Sequence, residues 1–302
     1  MRFRYDRVLS LRTLWITGFV VVLGLALAAA QNFQRGFGAE GQQDLHPKLL
    51  ERPLTAHDAP EFYFTRLVYT ENGYRNRRTM RKPSVPYVCP EFGGSSHFPQ
   101  QGWGWATDYP GADCKFMGGV ERLTGVRVNP HPNVIGIMDD ELFKYPFVYA
   151  VEVGGMELSS AEAARLREYL LRGGYLHVDD FWGGFQRANF EEQMRKVFPD
   201  REMESLPLTH PVFHTYYDID QLLQIPNRTN GCYGERTWEQ PDDTDPVIYG
   251  ISDDTGRLMV VATYNADLGD AWEYMDLPCY PTKFSSQAYR VGISFMIYAM
   301  SH

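Results

Sequence analysis

The sequence predicts an α/β domain built around parallel strands, and three features of one stretch carry that expectation. Residues 147–153, FVYAVEV, are apolar enough to form a strand buried on both faces. Ser159 with Glu162 three positions later makes a capping box, and Ala163, Leu166, Tyr169 and Leu170 follow as an apolar stripe at helical spacing. Gly173 then offers a left-handed residue after the last turn, and a second short strand begins at Tyr175. Strand, capped helix, glycine and strand make a βαβ unit, in which the two strands run parallel.

The second of these strands runs into GGYLHVDDFWGG, residues 173–184, and delivers Asp179 and Asp180 at its carboxyl end. Ligands bind at that edge in open α/β sheets. The other elements follow in order. EFYFTRLVYT at 61–70 reads as a first strand, 112–123 as a helix with Asp113 near its amino end, and 126–128 and 134–138 as short strands. Asn189 with Glu192 predicts a helix cap, with the helix continuing through Phe198. A short strand is expected within 201–225, and 226–245 reads as irregular. Residues 246–251 and 257–264 form a hairpin around DDTG, 265–284 is loop, and 287–300 is a final amphipathic helix too short to span a bilayer.

The chain has 302 residues, with 18 Phe, 19 Tyr and 6 Trp, so it can bury a sizeable core and is not a disordered polymer. Its net charge is −9, and because residues 1–30 carry four Arg and one Asp the remainder is near −12. That balance, with no basic stripe, argues against nucleic acid as a partner. The forty-residue segment that begins at Glu71 is rich in Gly, Pro, Asn and Arg, and five of its basic residues fall between Arg75 and Lys82. Such a long loop is either a solvated face or a contact for an anion or a partner.

Residues 1–30 read as a signal peptide or membrane anchor: four arginines, an apolar run over 14–29, then small residues before Gln31. Residues 31–60 read as a flexible linker and 61–302 as a single domain. The domain is therefore expected outside the cytoplasm, either periplasmic or tethered to the outer face of the cytoplasmic membrane. Cys89, Cys114, Cys232 and Cys279 are an even set with no zinc-finger spacing, which in an exported chain predicts two disulfides. The pairing Cys89–Cys114 with Cys232–Cys279 is favoured because each bridge brackets one irregular segment.

Four polar clusters fall at predicted strand ends or in the loops after them: Asp139 with Asp140, Asp179 with Asp180, His210 with His214, and Asn265, Asp267, Asp270 and Glu273. Trp182 stands beside the second. Carboxylates and imidazoles gathered at one sheet edge could run acid–base chemistry or hold a divalent cation, although no residue is assigned as a metal ligand. Each cluster also has a structural reading, because an Asp after a strand commonly caps a helix or closes a turn, and His210 before Pro211 can bond a backbone group.

The run FVYAVEVGGMELSSAEAARLREYLLRGGYLHVDDF, with HPVF downstream and NADLGDAWE after a strand, resembles the bacterial family known as domain of unknown function 4159, over residues 62–302. That family is similar in turn to the class I glutamine amidotransferase-like superfamily. The resemblance implies a doubly wound, mostly parallel sheet of flavodoxin-like type with helices on both faces. It also implies an envelope setting beside membrane proteins of the von Willebrand A and ATPase-linked kind. The amidotransferase pattern places a Cys at the elbow after the GG strand and a His-Pro-Glu later. Here the elbow holds Asp179-Asp180, and His210-Pro211 is followed by Val212. A thiolate nucleophile is missing, so glutamine hydrolysis is not expected. The expected role is a binding or assembly module with an envelope or membrane protein as partner and no dinucleotide cofactor. The other reading is a hydrolase using Asp179, Asp180 and His210, with a divalent metal ion as an optional aid; in either reading Trp182, Asp139, Asn265, Asp267, Asp270 and Glu273 are the candidate ligand-binding residues.

Overall fold

The computed structural model describes residues 59–72, 82–83, 87–90 and 102–302. The signal or anchor segment, nearly all of the linker, and the basic residues between 75 and 81 lie outside the described residues.

Seven strands make one sheet: β1 (Thr65–Val68), β2 (Asn133–Gly136), β3 (Phe147–Val151), β4 (Tyr175–Phe181), β5 (Glu204–Ser205), β6 (Val247–Ser252) and β7 (Leu258–Tyr264). Their order is β2-β1-β3-β4-β7-β6-β5. The first five in that order run parallel, and β6 and β5 complete the sheet antiparallel. Among the described residues six α-helices accompany it: α1 (Gly111–Thr124), α2 (Ser160–Leu171), α3 (Gly183–Val197), α4 (Arg228–Tyr233), α5 (Leu268–Glu273) and α6 (Thr282–Ser301).

Strand β3 is apolar and buried in every position because each of its faces meets its own helices. Phe147, Tyr149 and Val151 of β3 pack with Phe116 of α1, Trp272 of α5 and Phe295 of α6. The intervening Val148 and Ala150 pack on the other side with Leu166 of α2 and Phe190 of α3. On the first face the Phe116 and Trp272 rings lie 4.4 Å apart. Such a pair contributes roughly 0.5–1.5 kcal/mol beyond its buried area.

The βαβ unit is as the sequence predicts. Ser159 Oγ accepts from the Glu162 amide at 3.2 Å while the Ser159 amide donates to Glu162 Oε2 at 2.9 Å. Ala163, Leu166, Tyr169 and Leu170 are the buried face of α2. The hairpin of β6 and β7 and both expected disulfides, Cys89–Cys114 and Cys232–Cys279, are present. Among the described residues no helix is long and apolar enough to cross a membrane.

Several elements differ from expectation. The 61–70 strand shortens to β1, with Phe62 making only a single bridge to Val128, so 126–128 is not a strand of its own. Helix α3 begins at Gly183 rather than at a cap on Asn189, because the Gly183 amide already has a partner in Asn265 Oδ1 at 3.0 Å. Asn189 sits inside the helix and donates to the Met156 carbonyl at 2.9 Å. Within 226–245 a short helix forms, α4, with Asn227 Oδ1 accepting from the Asn230 amide. The most consequential difference is in 265–284, read as loop, which contains α5 and the first turn of α6.

Candidate functional site

The pairing of β4 with β7 is regular up to Val178↔Ala262 and resumes at Phe181↔Tyr264, so β4 spends one residue more than its neighbour. That residue is absorbed at Asp179-Asp180 as a bulge, a device that re-aims side chains at the edges of sheets. Asp180 takes φ 53°, a left-handed conformation uncommon for a residue with a side chain.

The two aspartates have opposite fates. Asp179 Oδ2 accepts from the Tyr149 hydroxyl at 2.8 Å and from the amides of Leu268 and Gly269 at 2.9 and 3.0 Å. Its Oδ1 accepts from Thr263 Oγ1 at 2.5 Å. Four donors occupy this carboxylate, which fastens the first turn of α5 to β3, β4 and β7. Burial raises its pKa to about 6, against the downward pull of Thr263, Tyr149 and the Gly269 amide. Asp179 is a structural residue.

Asp180 accepts one bond, from Trp182 Nε1 to Oδ1 at 2.7 Å, and turns toward other acids. One oxygen each of Asp108, Asp180 and Asp267 lie within 4.8 Å of one another, and so do oxygens of Asp108, Asp270 and Glu273. Local structure aims each of them. Asp267 caps α5, its Oδ1 accepting from the Asp270 amide at 2.7 Å. Asp270 and Glu273 are three apart on that helix and share a face. Asp270 Oδ2 accepts from the Arg228 amide at 2.6 Å. Asp108 arrives on the segment before α1, where the buried Arg66 holds the carbonyls of Trp105 and Thr107 at 3.2 and 2.6 Å.

Two glycines let the acids approach. A Cβ on Gly269 would stand 2.5 Å from Asp108 Oδ2, and one on Gly111 would stand 2.6 Å from Glu273 Oε1. Neither position admits a side chain without displacing a carboxylate.

Negative charge dominates the site, although Arg66 acts on Asp108 and Glu273, and Arg228 on Asp270 and Glu273, in the opposite direction. Among the described residues, none of Asp108, Asp180, Asp267, Asp270 and Glu273 forms an ion pair with Lys or Arg, whose pairs are made elsewhere. All five have raised pKa values, burial being the first cause in each. Neighbouring acids add to it: Asp270 on Asp108, Glu152 on Asp180, and Asp180 on Asp267. Glu273 is pushed up to about 8, with Asp270 its largest charged cause. The four non-glycine residues at positive φ among those described, Asp108, Glu152, Asp180 and Asn265, all belong to this edge or the segment facing it. Strained backbone of this kind collects at functional sites.

The other predicted residues are not gathered here. Asp139 closes its own turn, accepting from the Gly136 amide at 2.8 Å and pairing with Lys82. Asp140 pairs with Arg165 at 2.7 Å. Asn265 is a clamp, accepting from the Gly183 amide and donating to the carbonyls of Asp243 and Asp245. Trp182 is buried and orients Asp180. His210 accepts from the Val212 amide through Nδ1, and its ring lies 6.5 Å from that of Tyr298, which packs on Tyr175 at the start of β4. By strand rise that end of β4 is about 13 Å from Asp179. His210 therefore stands at the opposite edge and cannot serve Asp179 or Asp180 as a base. His214 bonds Asp218 and the Leu208 carbonyl.

Asp108 was not among the residues singled out in the sequence. Its only local signal is its place between a Trp-Gly-Trp run and a Tyr-Pro pair. The family model described as Domain of unknown function (DUF4159) matches residues 97–300, a span that contains all five acids. No curated protein matches the chain.

Proposed function

Because the chain belongs to the family described as Domain of unknown function (DUF4159), which assigns no activity, we propose from the geometry that it is an exported binding module whose ligand site is this acidic crevice and whose ligand is cationic. The observation that carries the reading is the convergence of five buried or half-buried carboxyl groups with no basic side chain paired to any of them among the described residues. Buried charge is tolerated when it is paired; otherwise it takes up protons or a counter-ion. Acids placed on a bulge, a helix cap and a helix face, with glycines cleared beneath two of them, favour the counter-ion.

The module has an amidotransferase-like sheet that does not hydrolyse glutamine. The order of the parallel strands, with β1 between β2 and β3 and then β4 and β7, supports the flavodoxin-like comparison. The elbow after β4 carries Asp180 rather than a thiol, and all four cysteines are used in disulfides. Those disulfides favour an oxidising compartment, in keeping with a periplasmic or membrane-tethered domain that meets an envelope protein.

A second reading, a metal-assisted hydrolase, is favoured by Glu273, whose pKa near 8 would let it act as a general acid at neutral pH. In that reading Asp180 and Glu273 replace His210.

Thermal unfolding of the full chain with Ca²⁺, Mg²⁺, Mn²⁺, spermidine or a Lys-rich peptide tests the proposal. A ligand at a hundredfold excess over its Kd adds about 2.7 kcal/mol, a shift of several degrees. At least one probe should raise Tm in the wild type and fail to do so in Asp180→Asn and Asp267→Asn. If no cationic probe moves the wild type, the crevice is not a cation site.

A further inference from the structure

We propose that the crevice holds two divalent metal cations, with Asp108 as the ligand they share. This rests on the crevice being a cationic-ligand site and names the ligand.

The five acids form two trios, Asp108–Asp180–Asp267 and Asp108–Asp270–Glu273, and Asp108 is the member common to both. Within each trio the donor oxygens lie inside 4.8 Å of one another, the span across an ion bound at about 2.4 Å. All donors are carboxylate oxygens, the set preferred by hard cations such as Mg²⁺, Ca²⁺ and Mn²⁺.

A separate observation concerns Asp108 itself. Its Oδ2 is shut off from solvent and no basic, amide or hydroxyl donor among the described residues reaches it; only the carboxyl of Asp270 is placed to share a proton with Asp108. It points at the start of α5, over Gly269. A buried carboxylate oxygen left without a donor is costly, and a metal ion removes that cost. Three of the other acids are each oriented through one oxygen, by Trp182 Nε1, by the Asp270 amide and by the Arg228 amide. That leaves their second oxygens for the ions, as outer-shell bonds do in metal sites. Arg66 fixes the segment that carries Asp108 through two carbonyls, and its own charge is taken by Asp113.

Charge decides the number. One divalent ion would leave three of the five carboxylates uncompensated, whereas two leave one. A single ammonium or guanidinium group would reach one trio and neutralise still less. Carboxylate-bridged pairs of this kind stand about 3.5–4 Å apart in two-metal sites.

The test is Mn²⁺ binding to the full chain by calorimetry, with electron paramagnetic resonance of the loaded protein. Wild type should take up two ions per chain and give the spectrum of an exchange-coupled pair. Asp267→Asn and Glu273→Gln should each retain one ion and lose the coupling, and Asp108→Asn should lose both. The wild-type spectrum needs no variant, so a misfolded Asp108→Asn leaves the test intact. A single uncoupled ion in the wild type overturns the shared-ligand proposal while leaving the crevice a cation site. No metal uptake, with spermidine or a basic peptide still raising Tm, overturns it in the same way. If no cation of any kind binds, the proposal and the reading beneath it fall together.

Discussion

Two sets of buried charge lie within a few residues of each other, and they are built in opposite ways. Arg66 and Asp113 are a closed pair, with fully buried side chains joined at 3.1 and 2.5 Å and Nη1 of the guanidinium donating to two carbonyls. Asp108, Asp180, Asp267, Asp270 and Glu273 are buried or half-buried as well, yet other acids dominate their surroundings, and the nearby Arg66 and Arg228 form no ion pair with any of them among the described residues. A buried charge sealed by its own chain is explained by the fold. A set left unsealed needs something from outside the chain, and that difference separates scaffold from site.

The comparison can be broken most forcefully at the closed pair. Arg66→Met or Asp113→Asn leaves one buried charge unpartnered and should cost about 3–5 kcal/mol in urea unfolding, whether or not divalent cations are present. Next in size are the disulfides. Replacing Cys232 and Cys279 together by Ser, which opens the longer loop of 47 residues, should lower stability by about 2–4 kcal/mol. The same change at Cys89 and Cys114, with a separation of 25, should cost somewhat less.

A third prediction uses a buried group of another kind. His177 lies in β4 among the rings of Phe147, Tyr149, Trp272 and Phe295, with neither ring nitrogen hydrogen-bonded. Burial lowers its pKa from 6.5 to about 3. The folded state therefore binds fewer protons than the unfolded chain between those values. The stability that follows is present above pH 6.5 and is lost as pH falls toward 3. His177→Phe keeps a ring in the cage and should flatten that acid limb in a pH series of unfolding midpoints. An unchanged acid limb would mean that His177 is hydrated in place.

Smaller still is the capping box. Ser159→Ala should cost about 1 kcal/mol by removing the bond to the Glu162 amide. Smallest is the open set. In EDTA, Asp180→Asn should leave Tm unchanged or raise it, since it removes a charge that burial disfavours. A loss as large as that of Asp113→Asn would erase the distinction between the two sets.

The same contrast explains what the sequence made legible. The capping box of α2, the β6–β7 hairpin and the pairing of four cysteines are local or countable, so they can be read from spacing. Asp267, Asp270 and Glu273 stand out as polar residues, but α5 is only six residues long and is held by Asp179, far away in the chain. No periodicity in 265–284 announces it. His210 invites comparison with the amidotransferase pattern, yet it caps its own turn by accepting from the Val212 amide and lies near Tyr298 of α6. Asp108 is the least legible, because its role depends on a left-handed backbone, a glycine in another element and Arg66 behind it. The scaffold charge shows the same limit, since Asp113 looks from sequence like an ordinary first-turn acid.

The most direct test of the unsealed set is a crystal of the full chain soaked in Mn²⁺ and measured for anomalous scattering. Anomalous density is expected between Asp108, Asp180 and Asp267, bounded by their carboxylate oxygens. The contradicting result is a crevice without such density.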